Sequence, residues 1–217
     1  MTTAIIGTGN IGSAIARHLT AGGEQIVLAA RNEADAATLA GKLGSLASEA
    51  TVKEAIEAAD AVIFSVWLDV IKQLIPKYTS LLDGKVVADP SNPIGFGQGG
   101  EILRTLPDDT SAGEVIASML PAGAHYVKAF GALSADSLAH SANRSPRHVV
   151  LFYATDDNQA ATVIERLITI CGFEPVRAGG VNDAGRIEVP GGDLHQNGGL
   201  GGRLLDLDQA RATIGGA

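Results

Sequence analysis

Aromatic residues make up only 4% of this 217-residue chain, and cysteine occurs once, as Cys171. So few rings leave little with which to build a base-stacking surface for single-stranded nucleic acid. A single cysteine excludes an intramolecular disulfide and a cysteine-based zinc site, so nothing requires an oxidising compartment. Basic residues are also few: 16 Lys and Arg stand against 24 Asp and Glu, for a formal net charge of -8, and no Lys/Arg cluster offsets that balance. Such a surface repels a phosphate backbone, and nucleic acid is not an expected partner. Long apolar runs are missing as well. The opening Met1–Gly7 lacks a basic segment followed by a long apolar stretch, and no later run approaches the roughly 18 apolar residues of a membrane span. The expectation is a cytoplasmic protein with no membrane partner.

Alanine, glycine and aliphatic residues are plentiful. A hydrophobic content of 46% with 18% charged residues fits a globular chain with a real core, and the length suits one domain with a modest appendage. Ala4-Ile5-Ile6 is a short apolar run ending at glycine, followed by Ile11, Ala14, Ile15 and Leu19 at helical spacing. Gln25–Ala30 reads as a second buried strand and Glu33–Leu43 as an alanine-rich helix, completing a strand-helix-strand unit. Thr51 marks a helix start, Asp60–Val66 a strand, Leu68–Ile75 a helix ended near Pro76, and Lys85–Asp89 a strand running into Pro90-Ser91-Asn92-Pro93. Helices over Gly100–Leu106 and Ala112–Leu120, strands over His125–Phe130 and His148–Tyr153, and a helix over Asn158–Cys171 follow. After Gly179 the chain is so rich in glycine that it reads either as functional loops or as poorly ordered. The alternation predicts an α/β Rossmann fold, a doubly wound and mainly parallel sheet, with residues 1–145 as the dinucleotide-binding domain. Residues 146–217 form a small C-terminal α/β extension that completes an acceptor cleft.

Gly7-Thr8-Gly9-Asn10-Ile11-Gly12 matches the G-x-G-x-x-G pattern between a strand and a helix. Gly7 makes the turn, Gly9 allows a phosphate to approach the backbone, and Gly12 allows helix and strand to pack. The amides opening the helix then face the negative charge. At the end of the second strand an Asp or Glu would accept from the ribose hydroxyls of NAD; here stand Ala29-Ala30-Arg31-Asn32. Arg31 can pair with the 2′-phosphate of NADP and Asn32 can donate to it, so NADP(H) is the expected cofactor, although Glu33 and Asp35 weaken the local positive potential.

Taken together these motifs resemble the NADP oxidoreductases dependent on the deazaflavin coenzyme F420, over nearly the whole length. The resemblance rests on Ile5–Gly12, Asp60–Val66, Asp89–Pro93, Val127-Lys128-Ala129-Phe130-Gly131, similar to the family's VKAFN segment, and Cys171–Val176. It implies that Ser65, Val66 and Trp67 line the nicotinamide side of the pocket, that the loop with Asn92 and Pro93 borders the reaction cleft, and that Phe130 and Gly131 lie on the acceptor side. It also implies that Asn197–Gly201, with Gly199 and Leu200, is a glycine loop over the deazaflavin, and that the protein is a homodimer. The reaction implied is hydride transfer, which depends on stacking two rings rather than on a catalytic triad, and no catalytic residue is identified. Ala30, Asp35, Gly131 and Ala184–Glu188 depart from the family's pattern, which leaves a flavin or ferric iron as the other acceptor. The same glycine turn would equally serve a non-catalytic NADPH-binding sensor.

His18, His125, His140, His148 and His195 are scattered with no metal-ligand spacing, so no metal site is expected. His125 and His195 are read mainly as structural or surface histidines, with substrate contact the other option. Cys171, at the end of a helical pattern, is read as a buried small apolar residue.

Overall fold

Four short apolar strands set the architecture, because each is buried on both faces and must be covered by helices above and below. The computed structural model describes residues 1–215. Its first half alternates β1 (Thr2–Ile6), α1 (Asn10–Ala21), β2 (Gln25–Ala29), α2 (Glu33–Leu43), β3 (Ala47–Glu49), α3 (Val52–Ala58), β4 (Ala61–Phe64), α4 (Leu68–Leu82) and β5 (Val86–Asp89). A hairpin of β6 (Ile94–Phe96) and β7 (Ile102–Arg104) follows, then α5 (Ala112–Met119), β8 (His125–Ala129), α6 (Ala135–His140), β9 (Val150–Ala154), α7 (Asn158–Ile170), β10 (Glu174–Gly179), a 3-10 turn (Val181–Ile187) and α8 (Leu207–Gly215).

The main sheet has eight strands in the order β10-β9-β8-β5-β4-β1-β2-β3. Every neighbouring pair is parallel except β8 and β9. The fold is therefore the Rossmann type expected, with β9 and β10 of the C-terminal segment continuing its sheet. β1 lies between β2 and β4, so successive connections leave it in opposite directions and open a crevice at the C-terminal ends of β1 and β4. Alternate strand residues feed two cores. Ile5 and Ile63 pack with Ile15 and Leu19 of α1 and Ile164 of α7, whereas Ile6, Val62 and Phe64 pack with Ile56, Ile71 and Ile116 of α3, α4 and α5. Each fully buried Ile or Phe contributes roughly 1.5–3 kcal/mol, which holds the strand ends in place.

Thr51 does start a helix: its hydroxyl accepts from the Glu54 amide at 3.3 Å while Glu54 Oε2 accepts from the Thr51 amide at 3.0 Å. Three expectations are corrected. The helix from Leu68 does not stop at Pro76 but continues to Leu82, with non-helical torsions at Tyr78 (φ -122°, ψ 19°). Pro76 removes one backbone donor, yet Leu68, Ile71, Ile75 and Leu82 remain buried along one face. No helix forms over Gly100–Leu106. Ile102–Arg104 instead pair back on Ile94–Phe96 as an antiparallel hairpin, closed by Gly97 N–H to Glu101 O at 2.9 Å and by Gly100 at φ +83°. The glycine-rich tail is packed turns and helix α8, tied by Arg147 to Asp206 and Asp208 at 3.0 and 2.9 Å. Among the described residues no helix is long and apolar enough to cross a membrane.

Candidate functional site

The turn between β1 and α1 lies at the crevice, and its glycines are sterically required at two of three positions. Gly7 has φ +106°, and a Cβ there would stand 2.3 Å from the Ser65 carbonyl oxygen. A Cβ on Gly12 would stand 2.0 Å from the Gly7 carbonyl oxygen. Gly9 is different: it caps α1 and a Cβ on it would meet nothing within 4 Å, so its bareness serves no packing within the chain. Gly7 N–H donates to Ala29 O at 2.7 Å and Ser13 Oγ to Thr8 O at 2.8 Å, which stiffens the turn. Asn10 opens α1, Ile11 leans partly on the core, and the first turn carries no acidic residue. Bare backbone, amides of a helix start and no opposing carboxylate make a cradle that can take a pyrophosphate.

Arg31 and Asn32 stand next door, past the end of β2. Both are exposed, and Asn32 caps α2 with its backbone while its side chain makes no capping hydrogen bond. Both side chains are therefore available to a ligand, beside the Glu33 and Asp35 carboxylates of the same first turn.

On the other side of the crevice, Ser65 and Val66 wrap Gly7, and the Ser65 hydroxyl lies against Gly12, buried with no hydrogen-bond partner. An orphaned buried hydroxyl costs about 1–3 kcal/mol, so a ligand atom that reached it would recover that energy. Trp67 comes next, 53% exposed, with its ring perpendicular to that of Phe96 at 5.7 Å between centroids.

The third group of residues gathers at the ends of β5 and β8. Asn92 Nδ2 donates to Gly131 O at 3.2 Å, and Asn92 Oδ1 accepts from Val189 N–H at 2.8 Å. One of the two N–H donors and one of the two oxygen lone pairs of that amide are thus spent within the protein, and one N–H remains. Pro93 is buried and its carbonyl accepts from Thr105 N–H at 2.9 Å, anchoring the hairpin. Phe130 lies at φ +65° with its ring fully buried in the core, so only its backbone borders the cleft. A Cβ on Gly131 would stand 2.4 Å from the Pro90 carbonyl oxygen, which accounts for glycine where the family segment has asparagine. Gly199 packs on the Asp193 backbone, a Cβ there falling 2.6 Å from its Cα, and Leu200 is buried with Ala132 and Phe152. Gly199 thus serves turn packing and Leu200 the core.

Beneath these loops lies a charged cluster that sequence reasoning did not single out. Lys128 Nζ is 3.0 Å from Asp89 Oδ2 and 3.2 Å from Glu188 Oε1, and also donates to the Ser91 carbonyl. Tyr126 donates to Asp89 at 3.2 Å, and Glu188 accepts from the Ala112 and Gly113 amides at the start of α5 at 2.9 and 2.8 Å. Burial works against the Lys128 charge, but Asp89 and Glu188 outweigh it and hold the ammonium above its ordinary pKa. Burial, with Asp89 beside it, raises the Tyr126 phenol well above its usual range. The cluster ties four segments together and keeps the Asp89–Pro93 loop and the Gly131 carbonyl in register. Its members look in sequence like isolated polar residues in apolar strands, and only strand order makes them neighbours.

His195 belongs to this region. Burial, with the Lys128 charge nearby, pushes its pKa down to about 4 against the pull of a Gly131 backbone contact, so the ring is neutral near pH 7. His125 opens β8, at the N-terminal end of the parallel strands and so at the end of the sheet opposite the crevice, 2.6 Å from Asp157, the residue that caps α7. Cys171 is buried and its thiol pKa is raised by that burial. No group of three His, Cys, Asp or Glu side chains that could hold a metal ion occurs among the described residues.

Known proteins share this layout. Residues 2–93 match the family of NADP oxidoreductases described as coenzyme F420-dependent. The chain is 29% identical over 192 residues to the F420-dependent NADP reductase of Methanothermobacter marburgensis, covering 84% of this chain and 85% of that protein. It is 27% identical over 185 residues to metalloreductase STEAP3 of Rattus norvegicus, covering 85% of this chain but only 35% of that longer protein. The crystal structure of a hypothetical protein, SMa0349, of Sinorhizobium meliloti superposes with a TM-score of 0.80 at 30% identity over 95% of both chains. The glycine cradle, the strand order and these matches converge on the coenzyme F420-dependent NADP oxidoreductases, whose family model covers residues 2–93 of this chain.

Proposed function

We propose that this chain is an NADPH-dependent oxidoreductase that passes a hydride between NADP(H) and a flat redox acceptor, with the deazaflavin F420 as the first choice. The observation that carries this is the open Gly9 face above the start of α1, flanked by Arg31 on one side and by Ser65–Trp67 on the other. Gly7, Thr8, Gly9, Asn10, Ile11 and Gly12 hold the pyrophosphate, Arg31 and Asn32 the 2′-phosphate, and Ser65, Val66, Trp67 and the free N–H of Asn92 the nicotinamide end. The dinucleotide would supply a hydride from its nicotinamide C4, leaving NADP+, and the acceptor ring would take up that hydride, its balancing proton coming from bulk solvent. The chain's own part is to hold two rings face to face and keep water out. Residues 1–145 form the dinucleotide-binding unit. Residues 146–217, of which the last two lie outside the described residues, supply the acceptor side together with Pro93, Phe130 and Gly131. The relative from Methanothermobacter and the family resemblance support F420, the same resemblance supports a homodimer, and the single cysteine supports a cytoplasmic setting.

A flavin or ferric acceptor is the second reading. It is favoured by Gly131, whose tight approach to Pro90 alters the acceptor side, and by the match to a metalloreductase. Loss of NADPH absorbance, followed with F420, FMN and ferric citrate in turn, separates the acceptors. Tight NADPH binding with no oxidation by any of the three would refute the enzyme and leave a sensor module.

A further inference from the structure

Phe96 is an anomaly of burial. Of the five phenylalanines in the chain, Phe64, Phe130, Phe152 and Phe173 are buried, whereas Phe96 is 63% exposed. It sits at the tip of the hairpin with Ile102 and Leu103, also exposed, and its ring meets Trp67, the single tryptophan of the chain. The two rings are inclined at 80° and form a corner, so a flat molecule lying on the face of one meets the edge of the other. Between them opens a shallow cleft of about 180 Å³, walled by Leu68 and Ile94 and edged by Asp69 and Thr105. Its apolar walls suit one face of a ring system whose remainder extends beyond the corner. Its place is equally specific, because Trp67 directly follows the Ser65-Val66 pair that wraps Gly7, which puts the cleft beside the glycine cradle.

We propose that Phe96 and Trp67 form the wall on which the conjugated ring of the acceptor lies, and that Phe96 is the residue that selects ring acceptors in this chain. The inference rests on the oxidoreductase function proposed above and names a subsite for its second substrate. Asp69 at the rim disfavours an anionic group there, so the aromatic ring occupies the corner and any charged tail points away from it. Pro93 O and the hairpin hydrogen bonds fix the height of Phe96 above the end of β4, so the subsite is built by the fold rather than by a free loop tip.

Because Trp67 is the single tryptophan, its emission reports on this corner. With NADP+ saturating, riboflavin and 5-deazariboflavin are titrated into the intact protein and into Phe96→Ala and Phe96→Tyr. The expected result is saturable quenching, an apparent Kd about tenfold weaker in Phe96→Ala and restored in Phe96→Tyr, with the same NADP+ affinity in all three. The proposal is overturned if the wild type shows no quenching or if Phe96→Ala binds the ring as well as the wild type. A parallel fall in NADP+ affinity also overturns it, as does conversion of an oligomer to a monomer on sedimentation, which would make the patch a copy-to-copy interface. Ring binding that meets these criteria without NADPH turnover refutes the hydride-transfer function and leaves the subsite standing.

Discussion

Lys128 Nζ and Glu188 Oε1 lie 3.2 Å apart, each side chain only 1% exposed, one in the middle of the sheet and the other just beyond the 3-10 turn. That contact joins the dinucleotide-binding half of the sheet to the C-terminal segment. Taking a lysine and two carboxylates out of water is expensive, and here the cation bridges both carboxylates while two α5 amides satisfy Glu188. Lys128→Met should cost about 3–5 kcal/mol in urea unfolding, because Asp89 and Glu188 lose their shared counter-charge. Glu188→Gln should cost less, and the double variant should be well short of additive, since all three groups belong to one network. Additive losses would mean that the contacts are independent.

The glycine turn separates packing from ligand approach. Gly12→Ala forces a methyl against the Gly7 carbonyl and should destabilise the fold by roughly 1–3 kcal/mol while weakening NADPH. Gly9→Ala meets nothing in the protein, so its unfolding free energy should change by less than about 1 kcal/mol. Its NADPH affinity should nevertheless fall at least tenfold, because the methyl occupies the space a phosphate needs. A Gly9→Ala protein that binds NADPH normally in a calorimetric titration would place the pyrophosphate elsewhere.

Cofactor choice is expected to depend on Arg31. An exposed arginine facing a 2′-phosphate contributes a charge-assisted contact of about 1.5–3 kcal/mol that NADH cannot make. Arg31→Ala should therefore lower NADPH affinity about tenfold or more and leave NADH affinity nearly unchanged. An unaltered ratio of the two dissociation constants would remove that role.

His195 supplies a pH dependence. Its pKa falls from 6.5 to about 4 on folding, mainly through burial. Above pH 6.5 the ring is neutral whether or not the chain is folded, and stability is unaffected. As pH drops from 6.5 toward 4, the unfolded chain takes up a proton that the folded chain refuses, and the fold loses up to ~3 kcal/mol. His195→Asn keeps an acceptor for the Asn197 amide, which His195 Nδ1 receives at 3.0 Å, and cannot titrate. Its urea-unfolding free energy should lose less between pH 7 and pH 4 than that of the wild type. Equal losses in the two proteins would show that the proton goes elsewhere.

Local sequence determined the glycine turn, the buried parallel strands and the helix start at Thr51, because turn sterics, apolar runs and capping act over a few residues and leave their mark in spacing. It also placed Arg31 where an acidic residue would otherwise meet the ribose. It misplaced residues 100–106, whose short apolar stretch fits a helix or a strand until the partner Ile94–Phe96 decides between them. Likewise it stopped α4 at Pro76, since proline's missing donor is local and the apolar contacts that carry the helix past it are not. The Lys128–Asp89–Glu188 cluster, the second contact of Asn92 at Val189, the neutral state of His195 and the exposed Trp67–Phe96 corner were decided only by tertiary structure. Each depends on which strand lies beside which and on how much water the neighbours displace, and neither is written in the spacing of residues along one element.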